Sequence, residues 1–162
     1  MMVHNIESRP PVPSGRLLAV DYGSVRIGLA ISDRDRLIAS PLATLTRTTE
    51  ARDRAFFEAL VAQEAVVAIV VGLPLHLNGK EGQKAQESRK FAQWLHQVTG
   101  LPIYFTDERF TTVEAESTLW KARLTHRQRQ ERRDRLAAQM ILQTYLELGC
   151  PAEFASTPLD AP

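Results

Sequence analysis

Three carboxylates in this chain of 162 residues stand where a fold could gather them for chemistry. Asp21 ends the apolar run RLLAVDY, Glu108 lies in TDERFTT just past a second apolar run, and Asp134 sits in the basic segment HRQRQERRDR ahead of the small pair Ala137 and Ala138. A carboxylate buried at a strand end is costly unless it is paired or binds a cation. Clustered carboxylates also repel one another, and a hard divalent ion that prefers oxygen removes both penalties. One or two Mg²⁺ or Mn²⁺ ions are therefore the expected cofactor, and such ions activate water and steady a leaving oxygen when a phosphodiester is displaced in line. Each acid also has a plainer reading: Asp21 as a turn residue, Glu108 as a partner of Arg109, and Asp134 as a solvated side chain favoured near the positive end of a helix. Asp107 alternates with Glu108 and is expected to face the other side of its strand in a structural role.

The elements that must position these acids follow from periodicity. Residues 16–22 and 25–32 read as a β-hairpin across Gly23 and Ser24. Residues 37–46 form a third extended segment, and Pro41 suits it to a sheet edge. Phe56, Phe57, Leu60 and Val61 then recur at helical spacing, and AVVAIVV (65–71) reads as a strand covered on both faces. A second helix is expected over 83–98, closed by Gly100, with a fifth strand over 102–106. Thr111 with Glu114 could cap a helix to about Lys121, and Thr125 with Gln128 could cap the last, which carries Leu136, Met140, Ile141 and Leu148. The order βββαβαβαα, with right-handed crossovers after an antiparallel trio, gives an α/β fold: a mixed five-stranded sheet with helices on both faces, the ribonuclease H-like arrangement. The strand ending in Asp21 should be central, because one strand must join the antiparallel and parallel parts.

Composition bounds what remains. Twenty Lys and Arg against 19 Asp and Glu leave a net charge of +1, which excludes a globally basic coat protein for nucleic acid. The balance is uneven along the chain: residues 121–135 (KARLTHRQRQERRDR) hold seven basic and two acidic side chains, a local +5 around Asp134 that would draw in a phosphate backbone. Arg26, Lys80 and Arg109 are the cations best placed to contact substrate phosphates, each with an alternative as an ordinary exposed charge. The single Cys150 excludes an internal disulfide and fits a reducing cytoplasm, and His76, His96 and His126 have no ligand-like spacing. No apolar run is long enough to span a bilayer. Residues 1–15 read as a flexible leader, 16–149 as one folded domain and 150–162 as a loose tail.

The stretches VDYGSVRIGLAISD, VVGLPLHLNGKEG, DERFTTVEAE and DRLAAQMILQTYLE resemble, in order, the signature blocks of the YqgF/RuvX family, described both as Holliday junction resolvases and as pre-16S rRNA nucleases. The resemblance covers residues 17–148. It implies a ribonuclease H-like nuclease with Asp21, Glu108 and Asp134 as an acidic, metal-holding triad. HLNG departs from the Met-Asp or Met-Asn pair more usual in the second block, in a loop without a catalytic residue. Of the two substrates, the 5′ end of pre-16S rRNA is favoured, with ribosomal particles as possible partners. A four-way junction needs two symmetric nicks and hence a dimer, and no heptad seam or long apolar helix face announces one, so monomer and homodimer both stay open. A non-catalytic nucleic-acid-binding module is the alternative from another class. An actin-like phosphotransferase would need a duplicated domain, and this chain carries one Asp-x-Gly turn.

Overall fold

A computed structural model describes residues 11–108 and 124–152. Strands β1 (Arg16–Asp21), β2 (Arg26–Ser32) and β3 (Ala39–Thr46) are followed by α1 (Glu50–Gln63), β4 (Val66–Leu73), α2 (Gln83–Thr99), β5 (Ile103–Asp107) and α3 (His126–Glu147). They build one mixed sheet in the order β3-β2-β1-β4-β5. The two hairpins pair antiparallel, and β1–β4 and β4–β5 pair parallel, so β1 is the central strand that joins the two halves. β3 is the edge strand expected from its proline: Pro41 lies where the register with β2 shifts, a position at which a missing N–H is tolerated. The helix expected over 111–121 lies outside the described residues.

Alternation along the strands divides the core. Leu18, Val20, Ile27, Leu29, Ile69 and Val71 pack on Phe57, Phe91 and Leu95 of α1 and α2. Leu17, Ala19, Ala30, Ala68 and Val70 pack on Ala138, Ile141, Leu142 and Tyr145 of α3, and Val12, Cys150 and Ala152 join that side. β4 is covered on both faces, which is why its apolar run is continuous. Four alanines on the α3 side let that helix lie close to the sheet. Local chemistry sets the helix ends. Thr49 accepts from the Arg52 N–H to open α1, Gly100 closes α2 at a φ of +70°, and Thr125 and Gln128 form the expected capping box of α3. Among the described residues no helix is long and apolar enough to cross a membrane.

Candidate active site

Asp21 shares the α3 side of β1 with Leu17 and Ala19. Its cross-strand partner in β2 is Gly28, and the next position of β4 beyond the Val20–Val71 pair is Gly72. Both glycines are required by what approaches them. A Cβ at Gly28 would collide with the main-chain carbonyl of Asp134 and lie 3.1 Å from its Cα; one at Gly72 would collide with the Glu108 carboxylate and lie 2.6 Å from Cδ1 of Ile141. The absence of two side chains, one on each side of Asp21, thus admits the backbone of α3 and the carboxylate of Glu108. Glu108 continues the β5 ladder, its N–H donating to the Leu73 carbonyl at 3.3 Å. α3 is pinned above by Thr44, which donates to the Glu131 carbonyl, and by Gln139 and Gln143, which bond the main chain of Ala39 at 3.0 and 3.2 Å.

The electrostatics follow from this packing. Burial, and then the negative charge of Asp134, push the Asp21 carboxyl up to about 6. Burial pushes Glu108 up to about 8, with the charges of Asp21 and Asp107 adding to it and Lys84 opposing. Asp107 shares the Phe105 side of β5 by alternation, so it acts on Glu108 through its charge from the other layer. Asp134 lies past the second turn of α3, and its Oδ2 accepts from Nε of Arg26 at 2.9 Å. The surface-charge and helix-end readings of this residue therefore give way to a specific ion pair. Among the described residues no group of three or more His, Cys, Asp or Glu is arranged to hold a metal ion. Asp21 and Glu108 form a coupled, oxygen-only pair that suits a hard cation, while the third acid is engaged by arginine.

A cavity of about 380 Å³ opens at this pair, beyond the carboxyl ends of parallel strands β1 and β4, where open α/β sheets place ligands. Asp21, Gly23, Ser24, Lys84, Glu87 and Glu108 are among its walls. Lys84 was not singled out from the sequence. The available signal was its place in the first turn of the helix that follows a parallel strand, the turn that faces the strand ends. Lys80 is exposed in a hydrogen-bonded turn, in which the Lys80 N–H donates to Asn78 and its carbonyl accepts from the His76 N–H, and it does not line the cavity. Arg26 stands beside the acids as the partner of Asp134, and Arg109 lies outside the described residues. So do 121–123 of the basic stretch; Leu124 and the N-cap Thr125 lead into α3, and residues 126–135 form its first turns. His96 contacts the Leu101 carbonyl at 2.7 Å, away from the cavity.

A mixed five-stranded sheet with helices on both faces, in the order β3-β2-β1-β4-β5, is the ribonuclease H-like fold. Residues 15–148 match the family model RuvX, described as Holliday junction resolvase, and the chain belongs to that family. Among its relatives, a Rhodopirellula baltica protein named "Putative pre-16S rRNA nuclease" is 47% identical over 134 residues, which are 83% of this chain and 78% of the relative. A Koribacter versatilis protein of the same name is 42% identical over 138 residues, covering 85% and 90%. The fold is shared with Thermus thermophilus RuvC, solved in complex with a Holliday junction substrate, at a TM-score of 0.51 and 15% identity over 84% of this chain and 97% of that one. Family and relatives make the chain a hydrolase of the nuclease class.

Proposed function

We propose that this chain is a divalent-metal-dependent endonuclease that processes the 5′ end of pre-16S rRNA in the cytoplasm, on the ribosomal particle or its precursor. The observation that carries the reading is the half-buried pair Asp21 and Glu108, whose partial burial and neighbouring charge raise both carboxyls at the mouth of a strand-end cavity. Such a pair is expensive in isolation, and Mg²⁺ or Mn²⁺ offsets the cost. Asp21 and Glu108 would hold the ion, joined by Asp134 once Arg26 releases it; the bound ion would supply water activation and charge stabilisation at the phosphodiester. The released Arg26 guanidinium is then free for a phosphate oxygen, with Lys84 on the cavity wall and Lys80 and Arg109 as further candidates for the strand. The relatives' name favours the rRNA substrate, and the family description keeps a four-way junction as the rival.

The test is cleavage of end-labelled pre-16S rRNA, a four-way DNA junction and a linear duplex, each with Mg²⁺, Mn²⁺ or chelator. The expected result is metal-dependent cleavage of the rRNA that Asp21→Asn and Glu108→Gln abolish while the protein stays folded. Equal cleavage by wild type and Asp21→Asn would overturn the site. Preference for the junction by a dimer would replace the substrate, and binding without cleavage of any substrate would leave a binding module.

A further inference from the structure

Behind Tyr22 lies a second cavity, of about 410 Å³, that the carboxylate chemistry does not use. The two cavities share Tyr22 and Glu87 as walls. Tyr22 directly follows Asp21 and packs against the α1/α2 side of the core, with its ring stacked on Phe91 at 4.8 Å between centroids and 28° between planes. Trp94 continues the row, 5.5 Å from Phe91. Over this row sits the Arg47 guanidinium, 5.5 Å from the Tyr22 centroid and 5.6 Å from that of Phe91. It is not a loosely solvated arginine. Nη1 donates to the Tyr22 hydroxyl at 3.2 Å, and Nε is 3.5 Å from the carboxylate of Asp53, which is 4% exposed and also accepts from the Thr48 N–H.

An aromatic row at this position has a plain role as core, and Phe91 fills it, being 5% exposed. Tyr22 and Trp94 do not: both remain half-buried on the cavity wall, and a buried carboxylate holds a planar cation beside them. Aromatic planes joined to a fixed guanidinium are what an unstacked nucleobase packs against. Glu50 and Glu87 at the rim supply acceptors for the amino groups of a base, and exposed Lys90 a cation for its phosphate. Because Tyr22 separates the two cavities, a strand with one phosphate at Asp21 would have a neighbouring base at this wall. We propose that the cavity walled by Tyr22, Arg47, Phe91 and Trp94 is a base-binding subsite that takes an unpaired nucleobase of the strand cut at Asp21 and Glu108. The proposal rests on the nuclease reading and adds the selection of single-stranded substrate, since a base in a duplex must first be unstacked and unpaired.

The subsite is tested by binding in chelator, where cleavage plays no part. With Trp120→Phe as background, Trp94 is the remaining tryptophan, and its emission reports the cavity. An unstructured oligoribonucleotide is expected to quench that emission, and, by anisotropy of an end-labelled strand, which needs no tryptophan, Trp94→Ala and Arg47→Ala should weaken its binding about 10-fold, the scale of one stacked base. Trp94→Phe should restore most of the affinity, which separates loss of stacking from loss of fold. Moving a single abasic nucleotide along the strand should find one position that costs wild type the same factor and costs Trp94→Ala nothing further. A blunt duplex should bind equally to all variants. Absence of quenching, equal single-strand affinity of wild type and Trp94→Ala, or abasic losses identical in both would each overturn the subsite. Cleavage by the same preparations after adding Mn²⁺ separates the two ideas: Trp94-dependent binding without cleavage sinks the nuclease alone, and cleavage without Trp94 dependence sinks the subsite alone.

Discussion

Replacing Glu108 by Gln should make the metal-free protein more stable relative to wild type as the pH rises. Glu108 titrates near 4.5 in an unfolded chain and at about 8 in the folded one. Between those values the native state holds a proton that the unfolded state has lost, so folding weakens by about 1.4 kcal/mol for each pH unit gained. From about pH 5 to about pH 8 the accumulated loss is roughly 4 kcal/mol, a large share of a small domain's stability. Gln cannot ionise and escapes the loss, while any packing cost of the substitution is constant with pH. Urea unfolding of both proteins in chelator, followed by circular dichroism at several pH values, gives the difference directly. Wild type should lose ground to Glu108→Gln by about 4 kcal/mol across the window, less any part shared with Asp21, which titrates with it as a coupled pair. Millimolar Mg²⁺ or Mn²⁺ should restore wild type at the alkaline end and leave the variant unchanged. A stability difference that does not move with pH would refute the argument that Glu108 is held half-buried against like charge.

Two further outcomes follow from the same geometry. Gly28→Ala should destabilise by about 1–3 kcal/mol and lower the Tm, because its Cβ meets the main chain of Asp134; adding Asp134→Ala should not rescue it, since the obstructing atoms remain. Arg133→Ala, at an exposed position of α3, should leave the Tm unchanged and reduce the salt dependence of single-strand binding by about 0.7 in log–log slope, as measured by anisotropy titrations.

Much of the frame was legible because the signals are local. Alternation over RLLAVD and RIGLAIS, the proline in β3, and the Thr125–Gln128 box each act within a few residues and survive into the fold. The central place of β1 followed from topology. What was not legible depends on pairs distant in the chain. Arg26 and Asp134 are 108 residues apart in sequence, so nothing around either announces their bond, and Asp134 among arginines looks like one more surface charge. Gly28 and Gly72 carry no local signal of their role, which comes from the α3 backbone and the Glu108 carboxylate that need their space. Lys80 and Lys84 are near neighbours of one type, yet Lys80 is held in the turn with Asn78 and Gly79 while Lys84, in the first turn of α2, lines the cavity.

The dependence of the site on α3 also bears on how the protein is made. A chain leaving the ribosome presents the β1–β2 hairpin well before α3, with Leu17, Ala19 and Ala30 on a face whose cover, from Ala138 to Tyr145, comes only with that helix. Asp134 arrives with that cover, on the same helix. Until then the nascent chain holds Asp21 without its full set of neighbours, and truncated products keep a bare apolar face open to chaperones and proteases. Cover for that face of the core and the charge of Asp134 beside Asp21 arrive on one helix, so the two are completed together.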